Sequence, residues 1–154
     1  MLNINPDEIK KLVKDKYSEV SRDPCGVFNF PVGKIFALKV GYPKEVLDNL
    51  PSSLSESFTG ANNPQGFVEL KAGEIVLDLG CGAGLDLYFY AKSVGEKGKV
   101  YGVDISEDMV SKAKQNMRLA GIKNAEISVG ESDNLSFNDN FFDVVASNGI
   151  YNLS

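Results

Sequence analysis

The chain contains no histidine. That excludes any mechanism within it that rests on an imidazole base, nucleophile or metal ligand. Cysteine is scarce: Cys25 and Cys81 are the two, far apart in sequence. Their spacing makes neither a zinc site nor a disulfide framework, and it suits a reducing cytosol. No metal is expected. No apolar run reaches the length of a membrane span, and the N-terminal "MLNINPDEIKK" is too polar for a secretory signal. A basic stripe is lacking as well. Residues 1–64 hold eight basic and eight acidic side chains, residues 65–154 hold eight and thirteen, and the formal net charge is −5. Neither nucleic acid nor a membrane is therefore an expected partner. Together these absences predict a soluble, cytoplasmic protein.

What is present is enough for one domain with a core: 154 residues, 43% of them hydrophobic. Pro6-Asp7-Glu8 opens a predicted helix through Val20, with Ile9, Leu12, Val13, Lys16 and Tyr17 near one face. "RDPCG" breaks it. Residues 26–41 are apolar but interrupted by Pro31, Gly33 and Gly41, and carry no clear pattern. "PKEVLDNLP" reads as one short helix and "SESFTGANNPQG" as a loop. From Gly73 the pattern is regular. "EIVLDLG", "GKVYGVDI", "NAEISVG" and "FFDVVASN" are strands, and a helix after each of the first two ends at Gly95 and Gly121. Ser106 caps the second helix, with Glu107 and Asp108 in its first turn. Strands alternating with helices predict an α/β fold with a parallel sheet, and strands apolar on both faces predict helices over each.

The stretch "VLDLGCGAG" ends a strand on Asp78 and follows it with Gly80, Gly82 and Gly84. One glycine would be a turn needing positive φ. Three in alternation let a ligand lie directly on the backbone. A dinucleotide fingerprint, G-x-G-x-x-G, would need glycine at Leu85 or Leu87, and fails in both registers. Asp104 ends the next strand, twenty residues past Gly84. "VGESDNLSFNDNFFDVV" follows. Asp78, Asp104, Glu131 and Ser147-Asn148 all fall at carboxyl ends of strands, where open parallel sheets bind ligands.

In these landmarks, over residues 70–154, the sequence resembles the class I S-adenosylmethionine-dependent methyltransferases. The resemblance implies their Rossmann-like fold, with sheet order 3-2-1-4 for the strands visible here. It makes residues 65–154 the cofactor domain and residues 1–64 a helical lid. It implies S-adenosylmethionine as cofactor and a small-molecule methyl acceptor. Asp78 would face the amino group of the cofactor, and Gly80, Cys81, Gly82 and Gly84 would pass beside its methionine and ribose. Asp104 would hold the ribose; Ile105 and Met109 would sandwich the adenine. Glu131 and the Ser132 amide would read the adenine edge, Asn148 would lie near the methyl group, and Tyr17 would face the cofactor from the lid. Competing readings stay open at single positions. Asp104 alone caps a turn, Ile105 and Met109 alone are core, Glu131 alone is a solvated acid, and Tyr17 alone packs a helix onto the sheet.

"SESFTGANNP" and "ASNGIYNLS" further resemble the arsenite methyltransferase branch. That branch places cysteines where this chain has Ala61 and Gly149, so the scaffold and cofactor are expected from it and the arsenite activity is not. The family sheet has seven strands, of which the sequence shows four. A truncated protein is therefore expected, whose fourth strand is an apolar edge open to a second copy or partner chain. The competing function is a cofactor-binding subunit without turnover; an NAD-dependent oxidoreductase is disfavoured by the glycine spacing. If residues 142–148 form such an edge, light scattering at micromolar concentration will show association, and a clean monomer counts against it.

Overall fold

The computed structural model describes residues 5–149. Its elements are α1 (Pro6–Arg22), α2 (Lys34–Lys39), α3 (Lys44–Asn49), α4 (Ser53–Glu56), a 3-10 turn at Pro64–Gly66, β1 (Ile75–Leu79), α5 (Leu85–Val94), β2 (Lys99–Asp104), α6 (Glu107–Leu119), β3 (Ala125–Val129) and β4 (Val144–Ser147). The four strands are parallel, in the order β3-β2-β1-β4. The chain builds outward from β1 through β2 to β3 and then returns to the other side of β1. The carboxyl ends of β1 and β4 thus flank a topological switch point, where such sheets open a crevice.

Local chemistry explains the helix ends. The Asn5 side chain accepts from the Asp7 amide at 3.0 Å, with Pro6 pre-set for the first turn. Ser106 caps α6 by accepting from the Met109 amide at 3.2 Å. The C-cap of α5 is Gly95, at φ 68°. Two short helices stand where the sequence shows no clear pattern or a loop. α2 forms in the glycine- and proline-interrupted stretch, and α4 reaches into "SESFTGANNPQG". Both are held by burial rather than propensity: Ala37 and Leu54 are fully buried.

The register sorts the strand side chains onto two faces. Val76, Asp78, Val100, Gly102, Asp104, Ile127 and Ala146 share one face. Its apolar members pack with α5, α6 and the apolar residues of 37–58 in one core cluster. Leu77, Leu79, Tyr101, Val103 and Val145 share the other face. There, among the described residues, the cover is not a helix. Leu135, Phe137 and Phe142, from the segment before β4, pack on Leu77, Leu79 and Val103. Tyr101 meets Phe137, Phe141 and Phe142 edge-on at 5.5–5.6 Å. The expectation of strands apolar on both faces holds for the central β1 and weakens at the edges. β3 turns Glu126 outward, and Val145 of β4 is 57% exposed.

Gly102 shows how tightly the helix-covered face is filled. A Cβ there would stand 2.6 Å from Leu87 Cδ1 and 2.9 Å from Cys81 Sγ. A Gly102→Val substitution is expected to lower stability by about 1–3 kcal/mol through overpacking, read as an earlier urea midpoint with unchanged slope. An unchanged midpoint would show that this layer can shift.

Candidate active site

β1 leads into Gly80 at the crevice, and β2 delivers Asp104 to it. The loop after β1 is held by that carboxylate: Asp104 Oδ2 accepts from the Gly82 amide and Oδ1 from the Ser106 amide, each at 2.9 Å. Gly80 and Cys81 donate their amides to the Val103 carbonyl at 2.7 and 3.1 Å. Asn116, fully buried in α6, donates to the Ala83 carbonyl at 2.8 Å and to Ser53 at 3.1 Å, tying the loop to α4 as well. The loop is pinned from both sides.

Two of the three glycines serve different ends. Gly82 has φ 51°, and a Cβ there would meet no atom within 4 Å. It faces open space. Gly84, at φ 94°, opens α5, and a Cβ there would press on Met117 Cε at 3.1 Å. Its role is close packing against α6.

The open space beside Gly80 and Gly82 is a cavity of about 340 Å3. Asp104, Ile105, Glu131, Ser132, Asn148 and Tyr17, six of the residues expected from the resemblance, line it. Lys10, Val13, Thr59, Val103, Gly130, Asp133 and Gly149 line it too, and sequence reasoning did not single out these residues as cofactor contacts. α1 closes one side. Lys10 reaches Glu131 at 2.5 Å and Asp133 at 3.0 Å, Lys14 reaches Glu107 at 3.1 Å, and Arg22 reaches Asp108 at 2.8 Å. The Ser18 and Ser106 hydroxyls meet at 2.9 Å in the buried seam. Nothing in α1 taken alone signals these pairings.

Other expected residues lie elsewhere. Met109 is 1% exposed, packed with Val20 and Ala83 beneath α1, and does not line the cavity. It sits in the first turn of α6 with its side chain toward that helix seam, so Ile105 alone of the expected pair reaches the cavity. Cys81 turns its thiol toward β2, against Gly102 and Leu87, and burial raises its pKa well above the usual thiol value. Asp78 is buried beneath the loop, and its Oδ2 has no hydrogen-bond partner among the described residues. Burial, then the charges of Asp86 and Asp104, push its carboxyl well above the ordinary range.

Asp86, in the first turn of α5 and nearly buried, reaches free space that Asp78 does not. It lines a narrow slot of about 40 Å3 that continues the cavity past Gly80, Gly82, Thr59 and Asn148. Tyr42 donates its hydroxyl to Asp86, and Asn148 Nδ2 donates to its other oxygen at 2.9 Å. Asn148 also pairs with Asn62, donating to its carbonyl at 2.7 Å and accepting from its amide at 3.1 Å. The end of β4 and the segment around Asn62 are thereby joined across the slot. Ala61 and Gly149, where the arsenite branch carries cysteines, come together here: a Cβ on Gly149 would lie 3.6 Å from the Ala61 amide nitrogen. The Asn152-Leu153 part of that resemblance lies outside the described residues. Among the described residues no cluster of acids and cysteines is arranged to hold a metal, and no helix is long and apolar enough to cross a membrane.

A family model for a methyltransferase domain matches residues 70–154, the span that carries the glycine loop, Asp104 and β4. The chain belongs to that family. An arsenite methyltransferase of Halobacterium salinarum is 30% identical over 97% of this chain and 42% of its own length. A demethylmenaquinone methyltransferase of Bacillus cereus is 40% identical over 51% of this chain and 33% of its own length. The chain thus spans less than half of the curated relatives it matches. Among solved structures, the arsenic(III) S-adenosylmethionine methyltransferase of Chlamydomonas reinhardtii superposes with a TM-score of 0.63 at 37% identity, covering 72% of this chain and 40% of that one. The four-stranded order of this methyltransferase domain agrees with the fold the sequence implies.

The buried acids make the domain sensitive to pH. Burial raises the Asp86 carboxyl to about 6, against the partial relief from Tyr42 and Asn148. The folded state therefore holds this proton more tightly than the unfolded chain, and stability falls as pH rises from about 4 to about 6. Asp86→Asn removes that contribution, on the order of 3 kcal/mol. Urea titrations across this window should show a shallower loss in the variant; parallel curves would place the titration elsewhere.

Proposed function

We propose that this methyltransferase domain binds S-adenosylmethionine and serves methyl transfer to a small-molecule acceptor. The observation that carries the reading is Asp104. It lines the cavity at the carboxyl end of β2 while its two oxygens pin the Gly82 and Ser106 amides. A carboxylate oxygen has lone pairs to spare after one amide, so both ribose hydroxyls of a nucleoside can still donate to it. The donor set suits the rest of the molecule. Gly82 offers bare backbone with no Cβ in the way. Ile105 and Val103 offer apolar contact to a flat base, with Glu131 and Ser132 at its edge. Asp86 and Asn148, rather than the deeper Asp78, stand where an ammonium group would be held.

When bound, the cofactor supplies a methyl group on a sulfonium centre, whose positive charge an acidic pocket favours. The protein's part is positioning and exclusion of water: α1 covers the cavity, and Tyr17 and Thr59 form the wall between the cofactor and what lies beyond. No side chain lining the cavity is needed as a base if the acceptor is already nucleophilic.

The reading places the protein in the cytoplasm, which its two unpaired cysteines support. It includes neither nucleic acid nor membrane as partner, in keeping with the net charge of −5. It also includes association through the outer edge of β4, where Val145 is exposed.

Calorimetric titration with S-adenosylhomocysteine should give one site per chain, with no comparable heat from NAD. Asp104→Ala and Gly82→Val should each weaken it at least tenfold. At one hundred times its dissociation constant the ligand should add about 2.7 kcal/mol to stability. Retained affinity in both variants would place the cofactor elsewhere.

A further inference from the structure

A second concavity lies on the far side of the wall that α1 makes. It is a groove of about 570 Å3, within the size range of small-molecule sites, between α1, residues 29–36 and residues 59–61. Leu12, Tyr17, Phe30, Phe36, Ala61 and Gly149 line it. Val13, Tyr17, Thr59 and Gly149 line both this groove and the cofactor cavity, so a ligand in one lies against the other.

We propose that this groove takes an uncharged, flat, aromatic acceptor. The assignment as acceptor site rests on the cofactor reading above; the chemistry of the groove's ligand rests on its lining. Rings form much of that lining. Tyr17 and Phe30 lie 6.2 Å apart between centroids, and Phe28 stacks behind Phe30 at 5.6 Å. Such a surface favours a planar ring that can stack or meet it edge-on. Leu12 adds apolar surface that is 69% exposed and is covered when the groove is filled.

Charge selects against other acceptors. Among the described residues, Lys16 is the one charged side chain in the lining, and its ammonium is already 2.8 Å from Glu19 and 5.1 Å over the Phe28 ring. A phosphate or carboxylate would enter with no free counter-charge. No thiol lines the groove: Cys25 is exposed in the turn after α1, and Cys81 is buried against β2. A soft metalloid would therefore find no thiolate. No group in the lining is placed to act as a base. Histidine is absent from the chain, and burial raises the Tyr17 phenol above its ordinary pKa, so it stays protonated. The ligand must bring its own nucleophilic atom.

The test is a titration of the full chain with 2-naphthol, followed by ligand fluorescence, beside phenyl phosphate and arsenite. Leu12→Glu adds charge at an exposed position that the fold does not need, and Ala61→Trp fills the groove from the opposite wall. Neither residue lines the cofactor cavity. The expected result is 2-naphthol binding at least tenfold tighter than phenyl phosphate or arsenite, and weakened at least tenfold by each substitution. S-Adenosylhomocysteine affinity should stay within about twofold in Leu12→Glu. Naphthol binding that is no tighter than phenyl phosphate, or that neither substitution weakens, overturns the inference. So does a chain that binds S-adenosylhomocysteine and not naphthol. Naphthol binding sensitive to both substitutions in a chain that does not bind S-adenosylhomocysteine supports the ligand chemistry and overturns the cofactor reading instead.

Discussion

The Asp104 carboxylate is the joint on which the site depends. It stands at the carboxyl end of β2 and holds two amides, Gly82 in the loop after β1 and Ser106 at the start of α6. Hydrogen bonds to an ionised acceptor are shorter and stronger than neutral ones, and this pair is nearly buried. One side chain therefore sets the distance between the glycine loop and the α6 cap. It does so while still lining the cavity. Around that joint Asn116 ties the loop to α4, and Ser106 meets Ser18 of α1. Strand end, loop and α1 share one network.

That arrangement gathers negative charge. Asp78, Asp86 and Asp104 are all nearly buried, and burial raises each carboxyl above its ordinary value. No lysine or arginine reaches them among the described ion pairs; the help comes from amides, Tyr42 and Asn148. Buried acids answered by neutral donors destabilise the fold and favour a cationic ligand at the same place.

α1 is attached in a different way. Its ion pairs to Glu131, Asp133, Glu107 and Asp108 are exposed, and such pairs contribute little individually and weaken with salt. Its firm contacts are Val20 and the Ser18–Ser106 seam. The helix closes the cavity with a modest apolar footing and a charged rim.

The strands and their parallel sense were legible in the sequence because hydrophobic period and glycine punctuation are local; their order was implied by the family resemblance. The glycine loop, Asp104 and the Ser106 cap were legible for the same reason: each is set by neighbours a few residues away. Met109 shows the limit. Its place in the first turn of α6 could be read, but the direction of its side chain depended on α1, which arrives from almost ninety residues earlier in the chain. Asp86 gave no sign of its role because its partners, Tyr42 and Asn148, are far from it and from each other in sequence. Lys10 could not be matched to Glu131 from spacing, nor Ala61 to Gly149. The sequence by itself determined the strands, the glycine loop and the helix caps, since those follow from backbone geometry within single elements. Only the tertiary structure decided which acid faces the slot, which side chains close the cavity and what the neighbouring groove can hold, since those follow from contacts between segments whose spacing carries no periodic signal.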